Sequence, residues 1–304
     1  MVSVLLLSWN HEKYIEQAIR SIISQEYKDL EVIYLDNNST DRTFDLAREV
    51  FAGSGLNYTA LRRDYNCGIS ANYNFLYQHS RGEFICLLSG DDWLHRENIS
   101  EKIKVLEIHP EAGMVHSGGY KYYQDIGVYE PLKVISFPED VALEKLLINN
   151  YISSTGILLR RSCIDAVGGW NETLIAEDGE LWIRMLMKYK LEAVDRYLYY
   201  YRQHEGGISS DPEFMLQAHM EIYESSKHMN PSGKTALRNI KDHYFAVKVK
   251  NTTSPGLFLE LIKNFRFNKI YFILLVKSML PVSWKQWYFN RSFKRKFRHV
   301  KIDE

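Results

Sequence analysis

The chain has 304 residues, 45% of them hydrophobic, so it is long enough for one large domain or two modest domains with real cores. The formal net charge is zero, with 38 basic and 38 acidic side chains, which excludes a uniformly basic or acidic protein. The three cysteines are far apart and form no C-x-x-C pair, which excludes a disulfide framework and a cysteine zinc site and favours a reducing compartment.

The amino terminus has no basic segment before its short apolar run, so we predict a first strand there rather than a signal peptide. The longest later apolar run, IYFILLV, covers residues 270–276. A membrane-spanning helix needs about 20 apolar residues, so this run predicts no span.

In the first third of the chain, short apolar runs alternate with segments of helical periodicity. The run VSVLLLS precedes an amphipathic segment, and LEVIYLD and EFICLL continue the alternation. This order predicts an α/β fold with a Rossmann-like, mostly parallel central sheet and helices on both faces.

Polar side chains directly follow three of the predicted strands. Ligands bind beyond the carboxyl ends of parallel strands, which share one edge of the sheet, so we expect these side chains to form one site. They are Ser8, Trp9 and Asn10 after the first strand, Asp36 and Asn37 after the second, and Asp91 and Asp92 after the fourth.

From about residue 116 the strands become less regular. We predict a strand at 156–160, a helix that starts near Glu177, and an aromatic strand, LYYYRQ, that leads into a loop with His204. Residues 214–304 are predicted to be helical and increasingly basic. Positions 261–302 contain eleven Lys or Arg and no Asp or Glu.

Asp91 and Asp92 place two like charges at the end of an apolar strand, where desolvating either is costly. A divalent cation would neutralise them together with a bound diphosphate, and Mg²⁺ prefers such oxygen ligands. The competing interpretation is a helix N-terminus, where acidic residues stabilise the helix dipole. The spacing alone leaves both interpretations open.

Each of the other candidates also has a structural interpretation. Trp9 is either a platform for a base or sugar or a ring packed on its own helix, and Asp36 with Asn37 either binds a base edge or forms a turn. Asp178 is either a general base at the rim of the sheet or a helix cap. His204 could ligate a metal or contact phosphate, although a lone loop histidine is more often simply exposed.

Four segments, in this order, resemble the family 2 glycosyltransferases, which have the GT-A fold, and the resemblance covers roughly positions 2–210. It implies a nucleotide-diphosphate-sugar donor and inverting transfer by a single in-line displacement. The segments are the opening block from VSVLLLSWN to NNSTDRT, the block NCGISANYNFLYQHSRGEFICLLSGDDWL, the segment VGGWNETLIAEDGELWIRM and the loop YYRQHEGGIS.

The resemblance also implies roles for individual residues. Asp178 would be the general base that deprotonates the acceptor hydroxyl. Mg²⁺ or Mn²⁺ on Asp92, with Asp91 near the ribose or the metal, would stabilise the leaving diphosphate. His204 would ligate the metal and, together with Arg202, bind the diphosphate. The residues that would bind the nucleotide are Ser8, Trp9, Asn10, Asp36, Asn37 and Asp91.

Two departures from the family pattern concern the donor. The family usually has two aspartates after the second strand, whereas this chain has Asp36 followed by Asn37, whose amide would contact a base without charge. Ser89 stands where many members have the first acidic residue of the metal motif. We still expect a UDP-sugar donor and a Mg²⁺ or Mn²⁺ ion.

The expected acceptor is a hydroxyl of a lipid-linked oligosaccharide or polysaccharide. We expect a catalytic domain at 1–215, with a nucleotide-sugar-binding half at 1–115 and an acceptor-binding half at 116–215. Residues 216–304 would then form a basic, aromatic helical extension.

The basic and aromatic tail, 261–302, suits an anionic membrane surface. The competing interpretation is a pair of helices packed on the acidic body of the protein. We expect a cytoplasmic protein that is peripheral on the inner face of the cell membrane, with no nucleic-acid partner.

Two other functions remain as alternatives. A non-catalytic sugar-nucleotide binding module would not need a general base such as Asp178. A nucleotidyltransferase also uses carboxylates and metal on an α/β sheet, but it predicts a glycine-rich, basic phosphate loop after the first strand, and SWNHEKY contains no glycine.

Overall fold

The computed structural model describes residues 1–176, 178–229, 232–251, 257, 261, 269–297 and 300. Its first part alternates strands and helices, as the sequence pattern predicts. These elements are β1 (Val2–Ser8), α1 (Ile15–Ile23), β2 (Leu30–Asp36), α2 (Thr43–Ala52), β3 (Asn57–Arg62), α3 (Ile69–Gln78) and β4 (Phe84–Ser89).

The second part of the chain is less regular. The strand predicted at 156–160 starts at Leu158. Glu177, the predicted helix start, lies outside the described residues, and the helix is described from Asp178 onward. The elements are β5 (Trp93–Leu94), α4 (Asn98–Ile108), β6 (Ala112–Tyr123), β7 (Val128–Leu132), α5 (Glu139–Ile148), β8 (Leu158–Arg160), α6 (Arg161–Val167), α7 (Asp178–Leu186) and β9 (Lys190–Gln203).

In the described part of the chain, nine strands form one sheet in the order β3-β2-β1-β4-β8-β6-β9-β5, with β7 paired to β6. Strands β1 to β4 pair in parallel, as expected for a Rossmann-like half. The other half is mixed, because β8 runs antiparallel to both β4 and β6, while β6 and β9 are parallel. The α/β class is confirmed, and the antiparallel strand β8 joins the two halves.

Strands β1, β2 and β4 are buried on both faces, which is why they are near-continuous apolar runs. Val4 of β1 and Ile19 of α1 belong to the core on one face, whereas Leu5 of β1 and Leu76 of α3 belong to the core on the other. A one-residue slip of β1 would exchange these faces, so the two-sided burial fixes its register.

Within the described residues, four α-helices follow the sheet: α8 (Pro212–Ser226), α9 (Gly233–Asn251), α10 (Lys269–Ser278) and α11 (Val282–Phe297). Helix α9 packs on α8 and α5, and α11 packs on β7 and α9. Among the described residues, none of the helices combines the length and apolarity that crossing a bilayer requires. Lys263, Arg266, Arg298 and Lys301 of the predicted basic tail lie outside the described residues.

The carboxyl ends of β1, β2 and β4 meet at one edge of the sheet, as predicted. Ser8 is in register with Asp36, and Leu7 is in register with Ser89. A Cβ on Gly90 would lie 2.8 Å from the Cβ of Ser8 and 3.0 Å from Nδ1 of His11. Glycine at this position therefore allows the turns after β1 and β4 to approach each other closely.

Candidate active site

A cavity of about 2100 Å³ lies at this edge of the sheet. Most of the predicted site residues line it, although they come from both halves of the sheet. Asn10 and Asp36 are not among its lining residues. The predicted residues that line it are Ser8, Trp9, Asn37, Asp91, Asp92, Asp178, Arg202 and His204.

Asp91 is the carboxylate of the adjacent pair that faces other functional groups, with its side chain 16% exposed. Its Oδ2 lies 3.1 Å from Nε2 of His204 and 3.7 Å from Nε2 of His11, and Ser89 donates a hydrogen bond to its Oδ1. Burial raises the pKa of Asp91, but the charge interaction with His11 and the hydrogen bonds from His204 and Ser89 outweigh it. The net pKa is held below its usual range, so Asp91 is ionised.

Asp92 points into the protein and is only 3% exposed. Its Oδ1 accepts a hydrogen bond of 2.8 Å from the backbone N–H of Arg202, and its Oδ2 accepts one of 2.7 Å from the Thr155 hydroxyl. Burial and the neighbouring charge of Asp91 raise its pKa well above the ordinary value. The two neighbouring carboxyl groups thus avoid like-charge repulsion because their pKa values shift in opposite directions. The hydrogen bonds of Asp92 also join the end of β4 to β9 and to the loop before β8.

His204 directly follows β9 and is buried at the cavity wall. The Tyr14 ring packs against it with centroids 4.7 Å apart, and Ser210 donates a hydrogen bond to its carbonyl oxygen. These contacts hold the imidazole next to Asp91. Because β9 reaches the same sheet edge as β4, it brings the loop that contains His204 next to Asp91 and Asp92. The sequence alone indicated no partner for this loop.

Arg202 is buried, and its guanidinium is committed to the protein. Its Nε donates to the carbonyl oxygen of Asp91 at 2.7 Å, and its terminal nitrogens donate to Gln17 and Gln124. The group also lies over the rings of Trp93 and Tyr14, at 4.6 and 4.7 Å from their centroids. This geometry indicates a positioning role for Arg202, and its contact with a diphosphate stays a prediction.

Asp36 and Asn10 build the turns after β2 and β1, and their role in nucleotide binding stays a prediction. Asp36 is fully buried, accepts hydrogen bonds from the N–H and hydroxyl of Ser39, and pairs with Arg62 at 3.3 Å. Ser39 accepts from the N–H of Asn10, and Oδ1 of Asn10 accepts from the N–H of Thr40. Both side chains thus join the turns after β1 and β2.

Asn37 uses its amide on a neighbouring loop rather than leaving it free for a ligand. Its Oδ1 accepts a 2.8 Å hydrogen bond from the N–H of Cys67, and its Nδ2 donates to the carbonyl oxygen of Cys67 and to Oδ1 of Asn66, both at 3.0 Å. The amide therefore fixes residues 66–67, which also line the cavity. Trp9, by contrast, is 42% exposed and presents its ring to the cavity.

Asp178 is the first residue described in α7 and is half-buried at the cavity wall. Burial raises its pKa to about 6, against the opposing effect of the hydrogen bond that Oδ1 accepts from the N–H of Gly179. A carboxyl group with this pKa is ionised near neutral pH and still basic enough to accept a proton.

The donor atoms at Asp91 and His204 fit a divalent cation. A carboxylate oxygen and an imidazole nitrogen 3.1 Å apart face one cavity, and Mg²⁺ or Mn²⁺ normally completes such a set with substrate phosphates and water. Nε2 of His11 lies 3.7 Å from the same Asp91 oxygen, whereas its Nδ1 lies against Gly90 and is buried without a hydrogen-bond partner among the described residues. The sequence reasoning missed His11, whose signal was a titratable side chain just after the first strand.

A second group of donor atoms, on His109, Glu111 and Glu192, lies away from this cavity. Nζ of Lys190 is 4.0 Å from Oε1 of Glu111, so a lysine already offsets the negative charge there. This group fits an ordinary surface ion-pair network.

Comparison with known proteins bears on both the fold and the family. The model of Glycosyl transferase family 2 matches residues 3–168, more than half of the chain. An uncharacterised protein of Mycobacterium tuberculosis is 26% identical over 209 residues, which cover 68% of this chain and 60% of that relative. The chain thus matches less than two thirds of that relative's length.

A named relative is WfaP of Escherichia coli, a UDP-Glc:alpha-D-GlcNAc-diphosphoundecaprenol beta-1,3-glucosyltransferase. It is 24% identical over 212 residues, which cover 69% of this chain and 80% of WfaP.

Two solved structures share the fold. TarS residues 1–349 of S. aureus, in complex with UDP-GlcNAc, has a TM-score of 0.62 at 16% identity, covering 97% of this chain and 88% of that one. The mannosyltransferase PcManGT of Pyrobaculum calidifontis, in complex with GDP-Man and Mn²⁺, has a TM-score of 0.59 at 17% identity, covering 98% and 88%. The GT-A architecture expected from the sequence is confirmed.

Proposed function

Because the chain belongs to glycosyl transferase family 2, we propose that it moves a sugar from a nucleotide-diphosphate donor to a glycan hydroxyl, with inversion at the anomeric carbon. The observation that carries this proposal is that two carboxyl groups in one cavity have pKa values shifted in opposite directions. Asp91, beside His204, has a lowered pKa, and Asp178 has a raised one. Such a contrast is expected where one group binds positive charge and the other moves a proton.

The donor nucleotide would bind at the carboxyl edge of β1 to β4. The exposed ring of Trp9 offers a face on which a base would stack, and the loop 66–67, fixed by Asn37, lines the same cavity. We propose a UDP-sugar as the donor. The names of WfaP and of the TarS complex contain UDP-sugars, whereas that of the PcManGT complex contains GDP-Man, so base identity is the first quantity to measure.

Asp91 and His204 would hold Mg²⁺ or Mn²⁺, and PcManGT, crystallised with Mn²⁺, supports a divalent ion. When bound, the ion supplies positive charge against the diphosphate leaving group. The sequence prediction placed the ion on Asp92 together with Asp91 and His204, and this proposal leaves Asp92 out. Both oxygens of Asp92 already accept hydrogen bonds inside the protein. Asp92 instead positions the backbone of β9, from which His204 follows.

Asp178 would accept the proton of the acceptor hydroxyl while that oxygen attacks the anomeric carbon. Attack from the side opposite the leaving diphosphate inverts the configuration in a single displacement. The raised pKa of Asp178 supports this role, since the group is ionised above about pH 6.

The acceptor would occupy the part of the cavity formed by the second half of the chain. Lys121, His219 and His243 line this cavity, and the two histidine rings have centroids 5.9 Å apart. The Lys121 ammonium group suits an acceptor that carries phosphate, whereas burial lowers the pKa of His219 and His243, so that their rings offer hydrogen bonds rather than charge. WfaP acts on a diphosphoundecaprenol-linked sugar. We propose a lipid-linked oligosaccharide. Helices α8 and α9 supply His219 and His243, so residues beyond 215 contribute to the acceptor side.

Calorimetric titration of UDP, GDP and dTDP, first with Mn²⁺ and then with EDTA, tests the donor site. We expect tight, metal-dependent binding of UDP, lost in Asp91→Asn. Asp195→Asn, at an exposed position on β9, is the matched control and should bind normally. Equal binding with EDTA would remove the basis for the metal assignment.

Product analysis with a UDP-sugar separates the alternatives. Release of UDP, slowed in Asp178→Asn, is the expected result. Nucleotide binding without turnover would indicate a binding module, and transfer of UMP with release of the sugar 1-phosphate would indicate a nucleotidyltransferase.

A further inference from the structure

Helix α11 has an inner face that packs on the body of the protein. The rings of Phe289 and Phe293 meet Tyr123 of β6, with centroids 5.9 and 4.7 Å apart. Lys285 is buried, and its Nζ donates a 2.7 Å hydrogen bond to the carbonyl oxygen of Val249. These contacts fix the rotation of α11 about its own axis.

The outer face of α11 is formed by Trp284, Trp287, Tyr288, Arg291 and Arg295, which share one side of the helix at spacings of three and four residues. This face carries large aromatic rings that are exposed to solvent. Trp284 is 67% exposed, Trp287 60% and Tyr288 63%. On this face, the Arg291 guanidinium lies over the Trp287 ring at 5.1 Å.

The apolar surface continues onto the end of α10. Ile273, Val276, Met279 and Leu280 are all exposed, and only Pro281 separates Leu280 from the first residue of α11. Isolated exposed apolar residues are ordinary, but a contiguous set of this size marks an interaction site.

The charges of α10 and α11 indicate which kind of partner this surface binds. Helix α11 contains Lys285, Arg291, Lys294, Arg295 and Lys296, and neither α10 nor α11 contains an Asp or Glu. Tryptophan and tyrosine concentrate at membrane–water interfaces, where one end of the ring system is apolar and the other is wet. Basic residues beside them attract anionic head groups.

We propose that the outer face of α11, with the exposed end of α10, docks on a bilayer that contains anionic phospholipid. The helix would lie in the interface plane with Trp284 and Trp287 at the acyl boundary and Arg291 and Arg295 among the head groups. This inference does not depend on the proposed function.

The docked orientation would place the cavity next to the membrane. Gln286, Phe289 and Asn290, on the other side of the same helix, line the cavity. A lipid-anchored molecule in the bilayer would therefore reach the cavity past the edge of α11.

Co-sedimentation of the full chain with vesicles of phosphatidylcholine alone, and of phosphatidylcholine mixed with phosphatidylglycerol, tests the proposal. We expect binding to the mixed vesicles that weakens with added salt. Trp284→Ser/Trp287→Ser and Arg291→Glu/Arg295→Glu should each lower the vesicle affinity about tenfold or more. The matched controls are Ile108→Ser, at a position 71% exposed on α4, and Arg48→Glu/Arg81→Glu, and both should bind like the wild type.

A second measurement covers the case in which a variant fails to fold. Vesicles with brominated acyl chains should quench the tryptophan fluorescence of the wild-type chain more than unbrominated vesicles do. Absence of quenching, or equal binding by all variants, would overturn the proposal. So would a tryptophan-dependent dimer, measured by light scattering, that ignores vesicles, because the outer face would then pair with a second copy.

Nucleotide binding, measured on the same variants, separates this result from the proposed function. Trp284, Trp287, Arg291 and Arg295 do not line the cavity, so these variants should titrate UDP as the wild type does. Lost vesicle binding with retained nucleotide binding supports the docking face alone.

Discussion

Nε2 of His204 lies 3.1 Å from Oδ2 of Asp91, although 113 positions separate the two residues in the chain. The contact joins the loop after β4 to the loop after β9, and therefore joins the parallel half of the sheet to its mixed half. It is the geometric centre of the proposed metal site.

Asp91→Asn and His204→Ala should each abolish most of the metal-dependent nucleotide affinity. Removing a ligand deletes a charge or a donor atom that no other described residue replaces at this position, and we expect a loss of about 100-fold or more. Titration of UDP with and without Mn²⁺ checks this. An unchanged difference between the two titrations in either variant would contradict the assignment of that residue.

Asp92→Asn should behave differently from Asp91→Asn. The folded protein favours the neutral form of Asp92, and an amide has nearly the shape of a protonated carboxyl group. We expect a free energy of unfolding within about 1 kcal/mol of the wild type, with metal-dependent nucleotide binding retained. If Asp92→Asn lost the metal dependence as Asp91→Asn does, Asp92 would be a ligand, as the sequence first suggested.

Asp178 should set the acidic limb of the pH–rate profile. With a pKa raised to about 6, the carboxylate is lost below that pH, so kcat/KM should rise through about pH 6 and then level off. Asp178→Asn should lower kcat about 10²–10⁴-fold and remove this limb. A wild-type profile that is flat over about one pH unit on either side of 6 would argue against Asp178 as the general base.

The raised pKa of Asp178 also predicts that Asp178→Asn increases the free energy of unfolding. The folded pKa, about 6, lies above the ordinary value of 3.8, so the protonated form is favoured on folding. The favourable contribution is fully present below pH 3.8 and is lost as the pH rises through about 6. At pH 8 the variant should therefore exceed the wild type by about 1–3 kcal/mol in denaturant unfolding, and the difference should shrink at low pH.

Asn37→Asp should disturb the loop 66–67, although it restores the residue that the family usually has. A carboxylate accepts from the N–H of Cys67 but donates nothing to the carbonyl oxygen of Cys67 or to Asn66. We expect a loss of about 1–3 kcal/mol in the free energy of unfolding and weaker UDP binding. Asn10→Asp, in the neighbouring turn, keeps an acceptor for the N–H of Thr40 and serves as the control.

The sequence predicted the parallel half of the fold because the information there is local. Apolar runs such as Val2–Ser8 alternate with amphipathic helices, and the ends of parallel strands must share an edge. The mixed half depends on long-range pairing, such as that of β8 with β4 and β6, which no local pattern specifies.

The candidate site, like the fold, has a part that local sequence predicted and a part that depends on distant residues. The adjacent residues Asp91 and Asp92 were visible as a pair, but their opposite environments were not. Asp92 is buried against Thr155 and the backbone N–H of Arg202, at separations of 63 and 110 positions, while Asp91 meets His204. Asn37 was predicted to contact a base from its place after the second strand, and the Cys67 peptide that hydrogen-bonds to its amide lies 30 positions away.

The contact between Asp91 and His204 also fixes when the site can exist during synthesis. A chain growing on the ribosome presents β1 to β4 and both aspartates long before β9 emerges. Until residue 204 has left the exit tunnel, Asp91 lacks its imidazole and Asp92 lacks the N–H of Arg202. The nascent amino-terminal half can therefore fold its parallel strands, but it completes its ligand set only in the last third of translation.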